Sequence, residues 1–96
     1  MWARVSTIQG SPDRFDQAVA SLNDDIIPRA KGMSGFTGAT FLGDRQSGKL
    51  IGITLWADEE SLRASEETAK QLRDDAAGQA GGTIASVERF EVIAQV

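Results

Sequence analysis

Apolar and polar positions divide the chain into segments of two different periods. Trp2 to Gln9 is rich in β-branched residues and runs into Gly10-Ser11-Pro12, which predicts a strand and then a stop. Ser11 offers an N-cap, and Pro12 stands at a first helical position, where its missing N–H leaves nothing unpaired. Phe15, Ala18, Val19, Leu22 and Ile26 then recur at steps of three and four, one face of a helix. Pro28, Gly32 and Gly35 end that pattern, so the first helix is expected over Pro12–Ile27 or a turn further. Phe36–Gly43 and Lys49–Ala57 are predicted strands, joined by the polar loop Asp44-Arg45-Gln46-Ser47-Gly48. Asp58-Glu59-Glu60 opens a second helix with a cap and two acids at the favourable end of its dipole. Leu62, Ala69, Leu72 and Ala76 mark its buried stripe, Gly78, Gly81 and Gly82 close it, and Thr83–Val96 reads as a last long strand.

The order is therefore β-α-β-β-α-β, the split βαβ arrangement of ferredoxin-like α+β domains. Right-handed crossovers place two helices on one face of a four-stranded antiparallel sheet, with the first and third strands central. Residues 1–96 fit one such domain, without repeat or linker.

The other sheet face is expected to be covered as well. Leu50-Ile51-Gly52-Ile53-Thr54-Leu55-Trp56 is almost continuously apolar, which is the pattern of a strand buried on both sides. Ile51, Ile53 and Leu55 share one face, and Leu50, Thr54 and Trp56 the other; on the first strand Trp2 and Ile8 oppose Ala3 and Val5. Leaving Ile51, Ile53 and Leu55 in water forfeits roughly 1.5–3 kcal/mol per side chain. A homodimer packed sheet to sheet resolves this.

Composition narrows the chemistry. With 10 Lys and Arg against 14 Asp and Glu, the net charge of −4 argues against a nucleic-acid partner. No apolar stretch approaches the ~20 residues that span a bilayer, so no membrane partner is expected. The opening Met1-Trp2-Ala3-Arg4 lacks the charged-then-apolar pattern of a signal peptide, and the expected location is cytoplasmic. The chain has no His, Cys or Tyr and a single Asn, Asn23. That excludes Ser-His-Asp and Cys-His triads, ordinary zinc sites and histidine-ligated haem. The acidic pairs Asp24-Asp25, Glu59-Glu60, Glu66-Glu67 and Asp74-Asp75 point about 100° apart on a helix and read as solvated faces, so no metal site is expected.

Several stretches carry a resemblance. Trp2-Ala3-Arg4-Val5, Ile27-Pro28 followed by Gly35-Phe36-Thr37-Gly38-Ala39, Thr54-Leu55-Trp56-Ala57-Asp58-Glu59-Glu60-Ser61-Leu62 and Ser86-Val87-Glu88-Arg89-Phe90-Glu91-Val92 look like the antibiotic-biosynthesis monooxygenase group. The likeness covers essentially the whole chain. It implies a dimeric α/β barrel with a pocket between helices and sheet in each subunit. Some members of the group use that pocket for cofactor-free oxygenation of polycyclic aromatics, and others degrade haem. The haem-degrading members use a first-strand Asn, a Trp ending the third strand and a His on the second helix. Only the Trp is matched, by Trp56, while Ala3 and Glu66 stand near the other two positions, which argues against haem.

Trp56 is the best single candidate for a catalytic or substrate-binding residue, as a wall that stacks on a flat ligand with its N–H free to orient an oxygen. Plain core packing is its other reading. Alternation is taken to put Ala3, Val5 and Thr7 on the helix side with Leu50, Gly52 and Thr54. Val5, Thr7 and Thr54, with Phe36, Phe41 and Phe90 as aromatic walls, complete the expected substrate-binding set. Arg4 and Arg89 lie within strands, where a charge needs a partner; Glu88 or Glu91 are the candidates, and an anion-binding role is a further reading. Two functions follow. One is a monooxygenase or related enzyme that needs no cofactor and acts on an apolar or aromatic substrate. The alternative is a non-catalytic dimeric domain that binds a ligand or serves a structural role.

Overall fold

The strands form where β-branched and aromatic residues alternate, and a computed structural model describes all 96 residues of the result. The strands β1 (Trp2–Gln9), β2 (Phe36–Asp44), β3 (Lys49–Trp56) and β4 (Thr83–Glu91) make one antiparallel sheet in the order β2-β3-β1-β4. The first and third strands are central, and the fold is the ferredoxin-like α+β arrangement. The last strand is shorter than the expected Thr83–Val96: it ends at Glu91, and only the N–H of Val92 still bonds across, to the carbonyl of Met1 where β1 runs out.

Between β1 and β2 the chain is helical from Pro12 to Lys31 in four segments: a 3₁₀ turn (Pro12–Arg14), α1 (Phe15–Ser21), a π turn (Leu22–Ile26) and α2 (Ile27–Lys31). Pro28 does not end the helix, as the sequence implies it should. A proline ring crowds the carbonyl four residues back, here that of Asp24, and it has no N–H to offer it. The turn before it widens instead, and the N–H of Ile27 reaches five residues back to the carbonyl of Leu22.

The second helical region is broken where a single helix is expected, into α3 (Glu59–Ala64) and α4 (Glu66–Ala80). Asp58 caps α3 as its sequence predicts, its carboxylate accepting from the N–H of Ser61. The break falls at buried Ser65, whose hydroxyl turns back to the carbonyl of Leu62. Gly81, left-handed at φ 67°, closes α4.

The core lies between these helices and one sheet face. Ile8 and Leu50 from the sheet meet Phe15, Ala18 and Ile26 of the first helical region and Leu72, Ala76, Ala77 and Ala80 of α4. Small residues predominate on α4, so the helix sits close to the sheet.

Candidate functional site

β1–β3 register decides which side chains enter this layer. Residues paired across two strands share a face, and the pairs Arg4–Thr54, Ser6–Gly52 and Ile8–Leu50 turn toward the helices. A cavity of about 80 Å³ lies there, walled by Ala18, Leu22 and Ile26, by Phe41, Gly52, Thr54 and Trp56, and by Ala69, Leu72 and Arg73. The lining is almost entirely apolar; its only charged members are Arg4 and Arg73.

Gly52 makes the room. A Cβ there would come within 3.0 Å of the Phe41 ring, so a larger residue would force that ring away. Trp56 closes one end. It is 1% exposed, meets Phe36 edge to face at 5.6 Å, and has the Arg4 guanidinium 5.4 Å from its ring centre.

Arg4 is 2% exposed and fastens the sheet to the helix break. Its Nη2 donates to the carbonyl of Leu62 at 2.9 Å, to Ser65 Oγ at 2.9 Å and to Glu66 Oε1 at 2.7 Å. One guanidinium thus satisfies the carbonyl end of α3 and pairs with the first acid of α4. Glu66 also accepts from Arg89 Nε at 2.8 Å and Nη2 at 2.6 Å. These bonds, from Arg89 first and then Arg4, outweigh partial burial and hold the Glu66 carboxyl at about 2. Arg73 has no such partner. Its Nε and Nη1, and Nε of Arg4, are buried and unpaired. Burial first, then the nearby charge of Arg4, lower the pKa of Arg73.

The fold recurs in solved structures. A monooxygenase from the gene ActVA-Orf6 of Streptomyces coelicolor, in complex with nanaomycin D, superposes with a TM-score of 0.67 at 15% identity, over 93% of this chain and 82% of that one. SnoaB, a cofactor-independent oxygenase from Streptomyces nogalater, gives 0.64 at 20% identity, over 99% and 93%. A structure described as an antibiotic biosynthesis monooxygenase gives 0.68 at 13% identity, over 98% and 100%. The chain has the antibiotic biosynthesis monooxygenase fold.

No family model matches the chain. In sequence it is similar to two uncharacterized proteins of Mycobacterium tuberculosis H37Rv: Rv2557, 38% identical over 94 residues, and Rv2558, 35% over 92. The matches take in 98% and 96% of this chain but 42% and 39% of those proteins, so the chain spans about two fifths of the length of the curated relatives it matches.

Within the antibiotic biosynthesis monooxygenase fold, the residues expected at the site divide by face. Thr54, Trp56 and Phe41 line the cavity, and Phe36 backs Trp56 from behind. Val5, Thr7 and Phe90 do not face it. Val5 pairs with Ile53, Thr7 with Ile51 and Ala3 with both Leu55 and Phe90, all on the side away from the helices. Both faces of β1 carry apolar or small residues, so composition left the phase of its alternation open, and the side chain that settles it is Arg4. Ala3 likewise turns from the cavity.

Two further expectations change. The Trp56 N–H is not free, because it donates to Thr54 Oγ1 at 3.0 Å. Arg4 and Arg89 pair with Glu66, across from the sheet, and not with Glu88 or Glu91; Glu66 is accordingly no solvated acid. Sequence reasoning missed Arg73 altogether. Its signal was present, since Arg73 lies four residues after Ala69 and three before Ala76, within the buried stripe.

Proposed function

We propose that the chain is a small-molecule oxygenase that acts, without a bound cofactor or metal, on an apolar aromatic substrate held in this cavity. The observation that carries the reading is the cavity itself. It is lined by aromatic and aliphatic side chains on the helix side of a sheet shared with known oxygenases, is partly open to solvent, and has Trp56 as a flat wall at its end. The site is assigned to Trp56, Thr54 and Phe41, with Phe36 holding the Trp56 ring.

The cavity wall has no histidine, tyrosine or carboxylate to take a proton, so the substrate must be acidic at carbon on its own account. Its carbanion transfers electrons to O2, a C–O bond forms, and the O–O bond breaks. A CH2 group thereby becomes C=O, and one O2 yields that oxygen and one water. The protein supplies shape and dryness, and the cation near Trp56 favours the anionic form.

The working unit is read as a homodimer joined through the outer sheet face, where Val5, Ile51, Ile53 and Leu55 are only partly covered within the chain. A cytoplasmic setting is in keeping with a chain that has no cysteine to oxidise.

Oxygen-electrode measurements with a panel of anthrones and quinols test the reading. Consumption is expected with a member of the panel, and Trp56→Phe should reduce kcat. Unchanged turnover in that variant would remove Trp56 from its role. The absence of a proton-accepting residue favours a second reading, a domain that binds an apolar ligand and does no chemistry. Ligand retained in native mass spectrometry, with no oxygen uptake across the panel, would select it.

A further inference from the structure

Three guanidiniums, those of Arg4, Arg73 and Arg89, gather near one carboxylate, that of Glu66. Glu66 gives one oxygen to Arg4 and Arg89 jointly and the other to Arg89. Nothing remains for Arg73, whose Nε and Nη1 are buried without a partner beside the similarly unpaired Nε of Arg4. Arg4 and Arg73 both line the cavity, in a chain whose overall charge is −4. Arg73 as a whole is only half-buried, but buried donor nitrogens without partners are destabilising, and guanidinium cannot shed its proton to escape. Such an arrangement is stable in use when a ligand brings the missing negative charge.

We infer that the ligand of this cavity carries a carboxylate on a flat apolar body, and that Arg73 receives it with Arg4 behind. The inference rests on the cavity being the ligand site. Arg4 and Arg73 leave three nitrogens unpaired, enough for the two oxygens of one carboxylate, and besides them the lining offers only the hydroxyls of Ser6 and Thr54, with no third cation for the second charge of a phosphate. The substrate class is thus aromatic or alicyclic acids, with the ring against Trp56 and the acid toward α4.

Isothermal titration of the intact chain at neutral pH tests this with benzoate and 1-naphthoate against their neutral amides. The acids should bind tighter than the amides by on the order of tenfold or more, the worth of a charge-assisted hydrogen bond. Arg73→Met should erase that margin while the amides still bind, and Arg73→Lys should keep part of it; melting curves establish that each variant is folded. Acid and amide binding equally well to the unaltered chain would overturn the inference and leave the cavity as a ligand site. A margin that persists in Arg73→Met would overturn the role given to Arg73. Failure of all four compounds to bind would bring down the cavity reading along with it.

Discussion

Glu66 and Thr54 show how much single side chains carry here. Glu66 is held at about 2, against an ordinary 4.5, so between those values the unfolded chain binds a proton that the folded one does not. Its stabilisation is therefore complete above about pH 4.5 and is lost as pH falls toward 2. With the side chain 33% exposed, solvent screening reduces the effect to on the order of 1–2 kcal/mol. Asp44 and Asp58 are also held below the ordinary carboxylate range, chiefly by the backbone N–H groups of Gln46 and Ser61, so the test is a difference. Urea unfolding of the unaltered chain and of Glu66→Gln should differ at pH 7 and converge by pH 2. A constant gap would show that Glu66 acts by packing alone. Thr54→Val, in turn, leaves the buried Trp56 N–H without an acceptor and should lower stability by about 1–3 kcal/mol. The same change in a Trp56→Phe background should have much less effect, because no N–H remains to be orphaned. The part of this site that was legible from sequence was β3, whose long apolar run ends in Trp56. Arg73 was legible only as a member of the buried stripe of its helix, and its place at the site was not, because that depends on how closely α4 approaches the sheet.

Element ends were the more readable level. The cap at Asp58, the glycine stop after α4 and the hairpin between β2 and β3 all stand where turn chemistry puts them. What local chemistry did not convey was the behaviour of helices under tertiary constraint. Pro28 is absorbed by a π turn, and α3 separates from α4 because Arg4, from a distant strand, takes up the carbonyl of Leu62. No periodicity records a partner 58 residues away. The entry to β4 shows a constraint of another kind. A Cβ on Gly82 would lie 1.9 Å from the carbonyl oxygen of Gln9, a backbone atom with nowhere to move. Gly82→Ala should therefore destabilise the chain by about 2–4 kcal/mol in chemical denaturation, whereas Gly78→Ala, with open space around it, should be neutral or slightly stabilising. Equal effects at the two sites would mean that the turn between α4 and β4 relaxes freely.

At the scale of the whole molecule, the question is what covers the outer sheet face. The central strands put Val5 opposite Ile53 and Thr7 opposite Ile51, while Leu42 and Phe90, on the two edge strands, are 51% and 49% exposed. The apolar band is centred on β1 and β3; on β4 the same rows end in Glu88 beside Val5 and Ser86 beside Thr7. The helices are all on the other side and do not cover it. Two copies packed face to face would bury each band in the other, and the contact would be self-complementary about a two-fold axis. Ile53, on central β3, would lie within that contact, and Ile53→Glu tests the dimer while sparing the monomer. In a single chain the new carboxylate points to solvent, where it carries little penalty. In such a dimer it would be desolvated against an apolar partner face, a far larger cost. Sedimentation should therefore find the unaltered chain at twice its 10.3 kDa mass and the variant at 10.3 kDa, with the same helix and strand signals in circular dichroism. A monomeric unaltered chain, or a variant that still pairs, would show that the outer face is covered in another way.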